Sequence, residues 1–542
     1  MRAVVLVLIL AASFSVFALP AAVYNVQTYG AVGDGVTDDT LAIRAAAAAL
    51  QTAAIASGVG GKLLFPPGKY LVFSPGVSPG NNNLAVFTSL KGVNVISDGA
   101  TIIIGRQLAT NESGLIFGFY YCNNITVDGF TVSGPSLNIG AGVPHGLNFV
   151  MLYQGNINVS MPNNKVQGVM AGMNCGRELT SQPKSQNVVI GTMDAFDSIY
   201  GLTTGYGCDD LVVHALYTKD VGRSYVAYGV KNHTVNVTSL GSFSEDVALG
   251  APLENIKLSY TSPAEYTTGT SGSGHARIRM SFTEVASAIR NVDIRLNVVY
   301  DTNTAGGPPF RLLKYYNVSG QILENLKISG YVKGKPNNWP LGDPNGPIIG
   351  TVDSPNYWSG DDHFRNIELS NLRIENSKPV RFILNGLKGP FLIENVTSDN
   401  SVQLVQSPVG RPPDNGLYTV SNSSFPNLAT YYPTEGAEPL EPINGAATLN
   451  VPVGWQGHMV SSEWVGTTVT YTLPSATKGL EYSFIRANGQ VLVRPQAGQS
   501  IRGGAAGHAL FLDTLGDGVK LRCVMTGIWD IISSNGSMPF VP

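Results

Sequence analysis

A short pattern recurs down the middle of this chain and leaves few folds open to it. An apolar residue, any residue and a second apolar residue follow Asn or another polar residue. The pattern is seen at Val93-Asn94-Val95, Ile125-Thr126-Val127, Ile157-Asn158-Val159, Val188-Val189-Ile190, Leu211-Val212-Val213 and Val235-Asn236-Val237. Further copies begin at Ile256, Val292, Leu326, Ile367 and Phe391. The basic step is about 21–24 residues, lengthened where insertions fall, and this is the period of a parallel β-helix coil. Each coil turns its alternate apolar residues inward and stacks on the next. Asn at a coil corner tolerates left-handed φ and can bond to the Asn of the neighbouring coil. A sandwich or propeller of irregular strands does not account for a step that recurs.

Such a stack needs an end. Tyr29 to Leu50 reads YGAVGDGVTDDTLAIRAAAAAL. Gly30, Gly33 and Gly35 suit a tight turn, Asp38 or Asp39 suits a helix N-cap, and Leu41, Ile43 and the alanines favour helix. The expectation is a short helix that closes one end of the coils and covers free strand edges. The repeat stops near residue 400. Residues 406–445 are rich in Pro, Gly and Asn and read as a linker. Residues 446–542 hold short strands broken by turns, a small β-sandwich.

Two of these motifs carry a resemblance. Y-G-A-x-G-D-G-x-x-D-D-T-x-A-I, followed by F-P-P-G-x-Y, is similar to the start of the pectate-lyase-like right-handed β-helix domain. That domain occurs in polygalacturonases, rhamnogalacturonases and virus tailspikes. The resemblance implies an all-β chain: a right-handed parallel β-helix with an N-terminal helical cap over residues 19–405, before the linker and the C-terminal module. It also implies a scaffold that acts on polysaccharide, and tailspike relatives imply a homotrimer. The strings TLPSATKGLEYSFI and VKLRCVMTGIWDIIS in the C-terminal module resemble a terminal module of phage tail and fibre proteins, which implies binding or oligomerisation.

Residues 1–18 read as a cleaved signal peptide. Arg2 precedes an apolar run from Val4 to Leu10, and Val16-Phe17-Ala18 fits a small-residue cleavage site. The run is too short to span a membrane, and the expected location is extracellular or on a virion surface. A net charge of −3 argues against a nucleic-acid partner. Cys122, Cys175, Cys208 and Cys523 form no C-x-x-C pair. Cys122 and Cys208 each begin a repeat unit, so buried packing is their expected role. No zinc or calcium ligand set is readable, and no cofactor is expected.

Residues at one register on successive coils line a common surface. Aligning coils brings Arg223 and Tyr225, then Glu245-Asp246, then His275, then Arg311 and Lys314 to that surface. The order resembles the polygalacturonase blocks N-T-D, D-D, G-H-G and R-I-K. Glu245-Asp246 falls on D-D, His275 on a degraded G-H-G, and Arg311 with Lys314 on R-I-K with one insertion. Where the family has its first catalytic Asp this chain has Ser224 or Tyr225, a departure from the three-carboxylate pattern. The residues themselves suit acid–base catalysis: adjacent carboxylates with a His, and cations that hold an acidic sugar. Asp246 is the expected general acid, raised in pKa by Glu245 and by burial in the groove. Glu245, Asp220 or Asp197 could serve as base, and Asp194 could line the same groove. Asp361, Asp362, Trp339, Tyr357 and Trp358 are weaker candidates in long insertions. Three functional classes fit: a polysaccharide-cleaving enzyme, hydrolase before lyase; a non-catalytic glycan-binding spike; and a structural virion or cell-wall component.

Overall fold

The computed structural model describes residues 22–542 except 75–81, 107, 109–113, 138–145, 177–181, 243–244, 264–275, 283–287, 300–310, 317–321, 334–346, 352–363, 376–379, 384–390, 400–401, 406–417, 425–446, 452–458, 463–467, 487–489, 515–516 and 537. The expected signal peptide at 1–18 and most of the expected linker lie outside the described residues. The described part of that linker is corrected: Tyr418–Ser421 is a strand paired parallel with Phe391–Glu394, so the coil stack continues past residue 405.

Parallel strands stack into three columns of a right-handed β-helix. The first runs from Ala22–Asn25 through Gly61–Phe65, Lys91–Ser97 and Asn123–Asp128. The second runs from Asp34–Asp38 through Gly68–Val72, Ala100–Ile104 and Thr131–Ser133. From Ile157–Gln167 onward single long strands serve both columns. The third column, here the third face, begins at Asn83–Thr88. It continues through Gly114–Tyr120, Leu147–Leu152, Ala171–Cys175 and Tyr200–Gly205 to the start of Arg223–Ser239. Beyond that lie the start of Val247–Ser262, then Ala276–Phe282 and Arg311–Tyr316.

Period-2 alternation builds the core. Val93, Ile125, Val159, Val188, Leu211, Ile256 and Val292 are buried at one inward register on successive coils. Each such side chain contributes about 1.5–3 kcal/mol by leaving water. Two of the repeat triplets are displaced by two residues from the true register. Ile125 pairs with Val159, and Ile157 is exposed. Val235 pairs with Val213, so the inward position beside Leu211 is filled by His233, which pairs onward with Ile256. A histidine in an apolar position hid that register.

The corners form the amide column that the Asn pattern suggests. Asn124, Asn158, Asn187, Asp210, Asn232, Asn255, Asn291, Asn325 and Asn366 all have φ between 53° and 59°. Asn158 Nδ2 donates to Asn124 Oδ1 (2.9 Å), and Asn187, Asn255, Asn291, Asn325 and Asn366 each donate to the preceding Asn in the same way. Asp210 accepts from Asn232 (2.8 Å) but has no N–H to pass on.

Helix α1 (Thr40–Ser57) is the cap. It buries Ile43, Ala46, Ala47, Leu50 and Ala54 against the first coils. It also satisfies the edge strand Asn83–Thr88: Arg44 Nε donates to the Asn83 carbonyl (2.9 Å). Gln51 Oε1 accepts from Thr88 N while its Nε2 donates to Thr88 O. The aspartates of the leading motif work on this cap. Asp39 is the N-cap by position, yet its carboxylate accepts from Val32 N and Gly33 N and so closes the glycine loop. Burial raises the pKa of Asp39 against those two bonds. Asp38 instead accepts from Thr40 N (2.9 Å) and Ser74 N (2.8 Å); burial opposes ionisation, but these bonds outweigh it and hold the carboxyl below its usual range.

One expectation for the cysteines is corrected. Cys175 and Cys208 form a disulfide, with Cα atoms 5.9 Å apart. The register explains it: Cys175 ends one strand of the third face, and Cys208 lies at the corner one coil on, where both point inward. Cys122 and Cys523 are buried free thiols.

The C-terminal residues form two five-stranded sheets packed on a second core that includes Tyr471, Tyr482, Phe484 and Trp529. The sheets are mixed: Ala447–Asn450, Thr468–Thr472 and Gln490–Arg494 are parallel neighbours, whereas Gly518–Met525 and Ile528–Asn535 are antiparallel.

Candidate functional site

The sequence candidates converge on the beginning of the third face. Tyr225 pairs with Val247, and Val247 with Ile278, so Arg223 and Glu245 sit side by side two residues earlier. Arg223 Nε donates to Glu245 Oε2 (2.9 Å), and Arg279 Nη1 donates to Glu245 Oε1 (3.0 Å). Arg279 Nη2 also reaches the Tyr228 hydroxyl (3.4 Å). One carboxylate thus holds two guanidinium groups from different coils against the surface, each about a quarter exposed. Charge-assisted bonds of this kind are about twice as strong as neutral ones and fix the guanidinium planes. By backbone register Arg311 stands beside Ala276, and Lys314 beside Arg279.

Asp246 is not on this surface. Its side chain is fully buried, and its carboxylate accepts from Ser239 Oγ (2.7 Å) and from the Tyr260 hydroxyl. Its carbonyl accepts from Ser224 N and Tyr225 N. The general-acid role expected for Asp246 is therefore corrected: a proton donor must touch the glycosidic oxygen, and this fully buried carboxylate is held by interior hydroxyls. Tyr225 is corrected likewise from substrate contact to core. Its hydroxyl lies 2.6 Å from His233 Nδ1, and His233 Nε2 lies 3.1 Å from the Cys208 carbonyl. A carbonyl only accepts, so Nε2 carries the proton and Nδ1 accepts from the tyrosine. Burial lowers the His233 pKa to about 4 and pushes the Tyr225 hydroxyl far up. Ser224, where the family pattern has Asp, is also buried, against Thr218 Oγ1 (2.6 Å).

Other candidates are scattered. Asp194 pairs with Lys165 on a long strand of the first two columns, away from Glu245. Burial raises its pKa, against the pull of Lys165. Asp197 and Asp220 occupy the corner that leads into the third face, both with positive φ. His275, Asp361, Asp362, Trp339, Tyr357 and Trp358 lie outside the described residues. Among the described residues no three His, Cys, Asp or Glu gather as a metal site. Sequence reasoning did not single out Arg279, Tyr228 or His233. Arg279 had a signal: Ile278 and Met280 point inward, so the residue between them must point outward.

The coil stack, the helical cap and the corner column together define a pectate-lyase-like parallel β-helix. Residues 23–239 match the family model "Rhamnogalacturonase A/epimerase, pectate lyase-like". A curated relative, mannuronan C5-epimerase AlgE1 of Azotobacter vinelandii, is 32% identical over 122 residues. That match takes in 22% of this chain and 8% of the relative's length. Among solved structures, the AlgE6 A-module of the same organism is 17% identical with a TM-score of 0.37, covering 74% of this chain and 98% of that one. A tailspike variant of E. coli bacteriophage HK620 in complex with pentasaccharide is 12% identical with a TM-score of 0.42, covering 90% and 84%.

Proposed function

We propose that this chain acts on an acidic polysaccharide that lies along the third face. One observation carries the reading: Arg223 and Arg279 are fixed at the surface by a shared Glu245, with Lys314 next in register to Arg279. Two guanidiniums from different coils share one carboxylate there, in a chain whose net charge is −3. The family match names polysaccharide-active proteins, and the curated relative is named for mannuronan, which supports the same class of ligand. Export, a separate C-terminal module at 446–542, and a binding or oligomerising role for that module belong to the same proposal.

The geometry favours retention over hydrolysis. Inverting and retaining hydrolysis both need two carboxyl groups facing the scissile bond. Among the described residues near the arginines the face presents one carboxylate, Glu245, and both its oxygens are engaged by guanidiniums. A second reading, cleavage, is favoured by the family match, with Glu245 as base and Asp220 or His275 completing the site. The test is incubation of the purified protein with acidic and neutral polysaccharides. Retention of acidic polymer that weakens with salt supports the proposal. New reducing ends mean hydrolysis, and new ultraviolet absorbance from an unsaturated sugar means a lyase. Equal retention of neutral and acidic polymers, or none, sinks the acidic reading.

A further inference from the structure

The outward residues at the far end of the third-face strands form a row with a gap in it. Tyr120 and Tyr153 stack face to face on adjacent coils, ring centroids 3.9 Å apart and planes 10° from parallel, both partly exposed. The next two positions are Gly176 and Gly205, as fixed by the pairings Leu152–Cys175 and Asn174–Thr203. Gly205 then pairs with Tyr228. The tyrosine ladder therefore stops at Tyr153 for lack of side chains, and one face of that ring looks along the axis over two glycines. A Cβ built on Gly205 meets no described atom within 4 Å, while one on Gly176 meets Met151 Cε (3.4 Å) and Asn174 Oδ1 (3.8 Å), which border the gap. The Tyr228 ring leans the other way, over Gly250, whose added Cβ would lie 1.7 Å from it. Tyr153 and Tyr228 are three coil steps apart, about 14 Å.

We propose that this gap is a sugar-stacking subsite, taking a pyranose ring of the same acidic glycan against the face of Tyr153 turned away from Tyr120. The inference rests on the acidic-polysaccharide reading and adds a second subsite to it. Pyranose rings present flat C–H faces that pack on aromatic rings, and the slot is bordered by polar groups, Asn174 and Thr203, on the neighbouring outward row. Continuity fixes the occupant. Tyr228 closes the gap on one side and accepts from Arg279, so a glycan lying along the axis would set one residue over the glycines and a carboxylate at the arginines.

The test uses the full chain and two variants, Gly205→Phe and Tyr153→Ala, with oligogalacturonates and oligomannuronates of increasing length and with cello-oligosaccharides as neutral probes. Gly205 has no left-handed φ and open space around it, so Phe fills the slot without touching the core. Longer acidic oligomers should bind roughly tenfold more weakly to Gly205→Phe and roughly three- to tenfold more weakly to Tyr153→Ala. Acidic dimers that reach only the arginines should bind all three proteins alike. Unchanged melting temperatures show that the variants are folded. Wild-type affinity for long oligomers in both variants overturns the subsite while leaving the acidic reading in place. Neutral probes alone binding, and lost in Gly205→Phe, support the subsite and overturn the acidic reading. No binding of any probe overturns both.

Discussion

The same coils present two surfaces with opposite charge arrangements. On the long strands of the first two columns, charges alternate along the axis: Lys231, Glu254, Arg290 and Glu324 follow one another in register, and so do Lys257, Asp293, Lys327 and Glu368. Lys231–Glu254 (2.8 Å), Arg290–Glu324 (3.2 Å) and Lys327–Glu368 (2.7 Å) are ion pairs. Each coil there neutralises its neighbour. On the third face Glu245 is shared by two arginines, and the register then continues with Arg311 and Lys314. A surface that only has to stay folded cancels its charge locally. On the third face, among the described residues, two guanidiniums from different coils converge on one carboxylate instead, and that contrast makes it the candidate site.

The largest expected effect is under the third face. Asp246→Ala strands the Ser239 and Tyr260 hydroxyls in the interior and should cost about 3–4 kcal/mol of stability, read by denaturant unfolding. Loss of turnover or binding with full stability would instead return Asp246 to the surface chemistry. The next is pH dependence. His233 has a folded pKa near 4 against an ordinary value near 6.5, so the unfolded chain takes up a proton that the folded chain refuses. Its contribution is present above about pH 6.5 and is lost as pH falls toward 4, up to roughly 3 kcal/mol. The double variant Tyr225→Phe with His233→Leu should flatten that slope in melting-temperature profiles; an unchanged slope would place the titration elsewhere. Third, Arg279→Ala should weaken acidic-glycan binding by about ten- to a hundredfold at low salt and leave neutral glycans unaffected. Smallest is the alternating surface: Glu368→Gln should change stability by less than about 1 kcal/mol and glycan binding not at all. A binding loss there would erase the distinction between the faces.

Much of the scaffold was legible in the sequence, because it depends on local chemistry repeated many times. Inward Val, Ile and Leu at alternate positions announce a coil, and a corner Asn announces its own φ. The leading Gly and Asp motif marked the cap, although only the structure divides the labour between Asp38 and Asp39. The site was legible to the coil and not to the side chain. Glu245 and Asp246 are adjacent in sequence and both buried, yet one turns outward beneath the two arginines and the other turns in to Tyr260. Which of two neighbours turns inward at a corner depends on strands well removed in sequence. His233 was missed for a related reason, since its inward position is made tolerable by Tyr225 and the Cys208 carbonyl.

The corner asparagines also decide how this molecule can change. Successive members of the column are separated by 23, 36, 34 and 41 residues from Asn232 through Asn255, Asn291 and Asn325 to Asn366, yet each reaches the one before it with a bond of 2.7–2.9 Å. Register is reset at every coil and owes nothing to the length of chain in between. An insertion between two corners therefore leaves the strands on either side where they were. The column works as a length-independent counter, under which loops beside the third face can be lengthened, shortened or exchanged, and specificity revised, while the scaffold keeps its place.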